Sequence, residues 1–419
     1  MRIDVRTLGP TLMALLALAC NSAAAQSSPW WAGGMLQYSR DSNIYRLPDG
    51  AAPLGPGRAE SDSILTTTLI AGLDQPIGRQ RLRLDASLRD SRFGDNKLLD
   101  NNGHAVKLGL DWATIGRLSG TVSVLSDRSL VRFESGALGS TSLERNIADT
   151  KQFDLLARVG LVTRLSGELA FNHQQVDYSA AAFEYREYRQ NLLRAGVRYT
   201  PSGLISLAAS VRGTQGRYPR FARNLRGDFI ADRYTGRNLD LSALYTPSGV
   251  SQFEARISLG STSYERSSAS DLSGATGQLA WIWRPTGKLR TETRLQRDRG
   301  QDSVPVGFSA SGRFADFSRA SDTLSVAAHY ELSAKVSLSA ALTTSRRDLV
   351  DSRLDLLGNP VVRSGSDRSS IWQAGARWLP TRALTLGCDY SHERRRTDST
   401  LSSDYSVSTL GCFGQMLLQ

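Results

Sequence analysis

The chain has 419 residues, a formal charge of +11 and 40% hydrophobic residues. Past residue 25 no apolar run approaches the ~18 to 20 residues that a membrane helix needs, which excludes a helical membrane protein. Some 390 residues, roughly, is too long for one soluble β-sandwich core, whereas a large barrel has no such limit because its lumen can be wet. Only Lys97, Lys107, Lys151, Lys288 and Lys335 are lysines, so arginine carries nearly all of the positive charge. Arginine offers planar, bidentate donors suited to carboxylate and phosphate. A high-GC genome, or pairing of outer loops with lipopolysaccharide, would raise arginine equally well.

In chain order, residues 1–25 read as a signal peptide. Arg2 and Arg6 form the positive region, Leu12 to Ala19 the apolar region and Ala23-Ala24-Ala25 the small-residue cleavage site. A competing reading makes Cys20 a lipidated cysteine, with Ala17 where a leucine would be more persuasive. Residues 26–419 then read as one barrel. The few residues before Trp30 predict no plug domain and no helical repeat region ahead of it.

Alternation of apolar and polar residues predicts eighteen strands. Their spans are 30–39, 62–74, 80–93, 102–113, 117–131, 149–160, 165–177, 186–199, 204–216, 233–245, 250–263, 271–283, 288–299, 318–332, 336–347, 367–378, 383–394 and 402–418. Short turns follow even strands and long loops follow odd ones, the pattern of an up-and-down transmembrane barrel. The turns share a motif: Thr200-Pro201-Ser202-Gly203, Thr246-Pro247-Ser248-Gly249, Arg284-Pro285-Thr286-Gly287 and Leu379-Pro380-Thr381-Arg382. Proline suits the second position of such a turn and glycine its end. Short turns belong in the periplasm, so the even count puts both termini there. Trp30, Trp31, Trp112, Tyr199, Tyr245, Trp281, Trp283 and Trp378 fall near strand ends, as an aromatic girdle requires. The outer loops 132–148, 217–232, 300–317 and 348–366 are long enough to fold inward as a constriction. The chain ends Met416-Leu417-Leu418-Gln419, without the terminal aromatic usual in outer-membrane barrels, Phe413 being the nearest.

The alternation assigns faces. In the third strand Leu82, Leu84, Ala86 and Leu88 face lipid, while Arg81, Arg83, Asp85 and Arg89 face the lumen. The same reading turns Arg194, Arg198, Arg256, Arg290, Arg294 and Arg377 inward. Together these nine arginines would form weak successive sites for acidic groups, moderated by Asp85, Glu254 and Glu292. Equally, the Arg–acid pairs could serve only to brace the wall.

Cys388 and Cys412 each lie twelve residues from Thr400, the centre of the last hairpin, so a regular antiparallel register sets them opposite each other. An exported chain meets an oxidising compartment, and the pair is expected to form a disulfide. Closing that loop contributes about 3 kcal/mol against the unfolded chain. The four histidines (104, 173, 329 and 392) are scattered, so no metal site is expected. No cofactor motif, phosphate-binding loop or nucleic-acid signature occurs, and no catalytic residues are assigned. His392 with Asp389 is the one faint candidate for catalysis.

The residues resemble the exopolysaccharide-biosynthesis outer-membrane proteins of the EpsL type, a family of β-barrel porins. The resemblance rests on Asp41-Ser42-Asn43-Ile44-Tyr45-Arg46-Leu47-Pro48-Asp49 after the first strand, with Asp41, Asn43, Tyr45 and Arg46 as its most specific positions. It continues through Gly78-Arg79-Gln80, Trp112, Leu118-Ser119-Gly120, Phe133, Glu144-Arg145-Asn146, Cys388 and Glu393-Arg394-Arg395-Arg396. It implies an outer-membrane channel exporting an exopolysaccharide, with the polymer, outer-membrane lipid and lipopolysaccharide, and periplasmic export or synthesis proteins as partners. The alternatives are a general or anion-selective diffusion porin for small solutes, and a structural barrel docking a synthesis complex.

Overall fold

The computed structural model describes residues 28–52, 54–133, 143–162, 164–224, 226–266, 271–299, 318–354, 360–399 and 401–419. The expected signal peptide, Cys20 included, lies outside them. The chain forms eighteen strands: β1 Trp30–Asp41, β2 Asp62–Ile77, β3 Gln80–Phe93, β4 Asn101–Ala113, β5 Leu118–Leu130, β6 Ile147–Val162, β7 Leu165–Tyr178, β8 Tyr188–Ser202 and β9 Ile205–Arg223. There follow β10 Phe229–Tyr245, β11 Ser251–Tyr264, β12 Leu272–Trp283, β13 Leu289–Asp298, β14 Ser318–Glu331, β15 Val336–Leu354, β16 Pro360–Trp378, β17 Leu384–Thr397 and β18 Tyr405–Leu418. Every strand pairs antiparallel with its chain neighbours, and β1 pairs with β18, so the sheet closes on itself. Closure leaves no unpaired edge, which is what allows strands to cross lipid.

The turns explain themselves locally. In four of them a serine or threonine hydroxyl accepts from the amide that starts the next strand. Ser251 N donates to Ser248 Oγ (3.3 Å), Leu289 N to Thr286 Oγ1 (3.1 Å), Val336 N to Ser333 Oγ (3.1 Å) and Leu384 N to Thr381 Oγ1 (3.1 Å). Such local bonds satisfy amides that the ladder has released. Gly78 adopts φ +61° between β2 and β3, a conformation that suits glycine.

Leu36, Leu69, Leu88, Val211, Ile257, Leu295 and Leu342 are exposed large apolar residues of one face. Nearer the short turns the same face carries exposed Trp30, Tyr199, Tyr245, Trp281, Trp283 and Trp378. Tyr245, Phe253, Trp281 and Trp283 stack in sequence with centroids 6.3, 5.9 and 5.6 Å apart. This is an aromatic girdle below an apolar band, the surface that a bilayer covers. Trp31 departs from the expectation. It pairs with Gly72 on the inward face, and its ring fills the space a Cβ on Gly72 would need. The protein is an outer-membrane β-barrel.

Two expected loops are largely strand. β9 and β10 run on through most of 217–232, and β15 and β16 through most of 348–366. In the first case Pro219 sits where the ladder shifts register, so its missing N–H costs no ladder bond. In the second, pairing continues from Val336↔Trp378 to Leu354↔Pro360. Beyond the bilayer both faces of a hairpin meet water, so the alternation that marks a membrane strand vanishes. Residues 134–142 and 300–317 lie outside the described residues.

Candidate functional site in the barrel interior and its outer mouth

Register places all nine arginines singled out by alternation on the inward face. Most of them are paired there. Arg81 grips Asp74 with two bonds of 2.6 Å, and Arg83 bonds Asp111. Arg198 and Arg158 share Glu168 at 2.7 and 3.0 Å. Arg294 and Arg290 share Glu292 at 2.6 and 3.5 Å. Arg377 lies over the Phe413 ring, 5.9 Å from its centroid. Among the described residues Arg89, Arg194, Arg256 and Arg377 have no carboxylate at ion-pair distance. Of the expected moderating acids, Glu292 does pair with its arginines, while Glu254 accepts from Gln252 at 2.6 Å.

The most enclosed inward arginine is Arg212, which lies at an inward position of the expected ninth strand, 204–216, but is not among the nine singled out. Its Nε donates to Asp240 at 2.9 Å and its Nη2 to Ser258 at 3.1 Å. It stands directly across from Arg194, and Arg256 lies within electrostatic reach of Arg194, Arg212, Asp240 and Asp298. The inward face of β8–β11 thus brings three guanidiniums together, with Asp240 bonded by Arg212 and within electrostatic reach of Arg256. Toward the outer end of the same four strands, Tyr188, Tyr218, Tyr234 and Tyr264 form a row with centroids 6.3, 5.6 and 5.4 Å apart. Tyr218 and Tyr234 are buried, so the row packs as wall and does not offer open ring faces. Across the barrel, a cavity of about 640 Å³ is lined by Gln37, Ser39, Arg290, Glu292, Gln373 and Asp389, a small and polar set.

Residues 42–52 and 54–61, after β1, build a collar at the outer mouth. Ile44, Tyr45 and Leu47 pack with Phe93, Leu99 and Phe133, Tyr45 lying 4.7 Å from the Phe133 centroid. Phe93 and the neighbouring Ile64 belong to the inward face of β3 and β2, so this loop sits inside the mouth. The polar residues of the motif hold it there. Arg46 bonds Asp41 through both terminal nitrogens at 3.0 Å. Asn43 closes its own turn, donating to Leu47 O and accepting from Leu47 N at 2.8 Å each. The Tyr45 hydroxyl donates to Asn96 Oδ1 at 2.9 Å, and Asn96 bonds Asp62 and Ala59. Burial pushes the Tyr45 hydroxyl up from its ordinary value, against the opposing pull of Arg58, which keeps it a donor. Ser42 clips the loop to β18: its N donates to Ser408 O at 3.0 Å, and its Oγ accepts from Ser408 N at 2.8 Å. Arg46 holds φ +56°, strain that its bonds to Asp41 over-determine. Nearby, Glu393 accepts from Arg132 (2.9 Å) and Tyr405 (2.7 Å), so of the Glu393-Arg394-Arg395-Arg396 run Glu393 borders this collar while Arg394 and Arg396 turn to the outward face. The inward-folded loop among the described residues is therefore the first outer loop, and not 217–232 or 348–366.

Cys388 and Cys412 lie directly opposite each other, 4.0 Å apart at Cα, and are joined. They face outward beside Leu36, Tyr38 and Leu386. His392 bonds Ser408 at 3.0 Å on the outward face, while Asp389 lines the inward cavity, so strand parity separates this pair. Among the described residues no group of His, Cys, Asp or Glu is placed to hold a metal ion.

No protein-family model matches the chain, and no curated protein matches it in sequence. Similar solved structures are Pseudomonas aeruginosa OpdK (12% identity, 93% of this chain and 99% of that one, TM-score 0.49) and P. aeruginosa OccK5, OpdH (10%, 94% and 100%, 0.46). Another is the FrpB iron transporter from Neisseria meningitidis (9%, 88% and 62%, 0.45). At this distance the likeness carries no argument about what passes through this barrel.

Proposed function

We propose that the protein is a diffusion channel of the outer membrane for small polar solutes, with a preference for anions. The observation that supports it most is the Arg194–Arg212–Arg256 group on the inward face of β8–β11, in which Asp240 is bonded by Arg212, and Arg194 and Arg256 have no carboxylate at ion-pair distance among the described residues. An eighteen-stranded barrel is wide enough for an aqueous path. Paired arginines brace the wall and keep the interior mixed in sign. The group with more guanidiniums than carboxylates then supplies a weak, leavable anion site. Single-channel recording in a planar bilayer tests this. The expected result is an anion-selective pore whose reversal potential moves toward zero in an Arg194→Ser, Arg256→Ser double variant. A cation-selective pore, or an unchanged reversal potential, overturns the anion preference. Arg81→Ser, Arg83→Ser and Arg294→Ser should move it less, because each of these arginines already has a carboxylate partner.

A second reading, export of an anionic exopolysaccharide, draws on the resemblance of Asp41-Ser42-Asn43-Ile44-Tyr45-Arg46. Those residues are the ones that build the collar at the outer mouth. Block by acidic oligosaccharides that strengthens with chain length favours export. Block that is indifferent to length favours the small-solute channel.

A further inference from the structure

The outward face carries arginines in an arrangement that strand pairing alone disfavours. Arg217 on β9 stands directly opposite Arg189 on β8 and Arg233 on β10. Arg368 on β16 likewise stands opposite Arg346 on β15 and Arg396 on β17. Residues so paired have Cβ atoms about 4.5 to 5.5 Å apart, and like charges there repel. All six are exposed. None makes an ion pair among the described residues. Arg346 feels the charge of Asp398, whose carboxylate bonds Ser366. The acids at the row edges do not compensate. Asp322, opposite Arg346, is taken by Arg297 at 3.7 Å, and Glu265 meets Arg233 through its backbone N–H alone.

Their height is the second observation. On the same outward face, a few residues toward the short turns, lie exposed Leu193, Val211 and Leu239 below the first row. Leu342 and Trp372 lie below the second. Both rows therefore stand at the upper border of the apolar band, level with the headgroups of the outer leaflet. A phosphate between neighbouring guanidiniums removes their repulsion and accepts bidentate bonds from each. We propose that these rows, on β8–β10 and on β15–β17, are two sites for the phosphate groups of the outer-leaflet glycolipid.

The test uses the full barrel purified in detergent and read by native mass spectrometry. The probes are a bisphosphorylated glucosamine-disaccharide lipid and its dephosphorylated form. The expected result is retention of the phosphorylated lipid alone. Retention should fall about tenfold when Arg189, Arg217 and Arg233 are replaced by Ser, and again when Arg346, Arg368 and Arg396 are. Lys288→Ser at a short turn should leave retention unchanged. Equal retention of the dephosphorylated lipid overturns the proposal, and that arm needs no variant to fold. Full retention by a triple variant that keeps its heat-modifiable migration overturns it as well. So does displacement of the lipid by a soluble polyanion with no lipid-phase preference, which would assign the rows to a dissolved ligand.

Discussion

The two faces of the same strands treat arginine differently. Inside, Arg81, Arg83, Arg198, Arg212 and Arg294 each meet a carboxylate, and Arg212 is almost wholly enclosed while doing so. Outside, at the upper border of the apolar band, Arg189, Arg217 and Arg233 face one another with none. An enclosed interior position such as that of Arg212 needs its charge compensated by the chain itself, whereas Arg194 and Arg256 stand without a carboxylate at ion-pair distance among the described residues. An exterior bathed in headgroups can leave compensation to the lipid. The contrast teaches that surroundings decide how an arginine's charge is met: by the chain's own carboxylates at these inner positions, and by none of them at the outer rows.

The sharpest way to break this comparison is to remove an inner partner. Asp240→Asn leaves the enclosed Arg212 without its carboxylate and should destabilise the barrel by about 3 to 5 kcal/mol. A urea-unfolding midpoint equal to that of the parent protein would show that the pair is not compensating a buried charge. Next in size is the outward covalent link. Reducing Cys388–Cys412 should cost about 3 kcal/mol, seen as a lower midpoint under reducing conditions, with no change in conductance because both sulfurs face away from the lumen. Removing an outer arginine should do the reverse of removing an inner acid. In phosphate-free detergent, Arg217→Thr should stabilise by about 0.2 to 1 kcal/mol by relieving like-charge pairing, and the gain should shrink or change sign when phosphorylated glycolipid is present. Destabilisation in both media would place Arg217 with the braced inner arginines.

The smallest expected effect concerns the outer hairpins. The Ser366 amide donates to Asp398 at 2.6 Å and holds its carboxyl below the ordinary aspartate value. A lowered folded-state pKa means that the contact's contribution is present above the unfolded value, about 3.9, and is lost as pH falls through the folded one. An NMR titration of the Ser366 amide should therefore show its midpoint below about 3.9, and a midpoint at or above that value would exclude the bond.

Much of this protein was legible as text. Strict period-two alternation, proline-containing turns and aromatic positions define eighteen strands and two faces because lipid on one side and water on the other impose them residue by residue. The equal spacing of Cys388 and Cys412 from Thr400 likewise determined their pairing, since antiparallel register is counted from the turn. Where water touches both faces that rule lapses, which is why the extensions of β9, β10, β15 and β16 read as loops.

Only the closed barrel decided the rest. The run Asp41-Ser42-Asn43-Ile44-Tyr45-Arg46 stands out in the sequence, but its role as a collar depends on Asn96, Phe133 and Ser408, brought to it by other hairpins. Alternation turns an arginine inward or outward. Whether it finds Asp240 depends on the register between β9 and β10, which shifts at a bulge in the long hairpin and so cannot be counted from its turn.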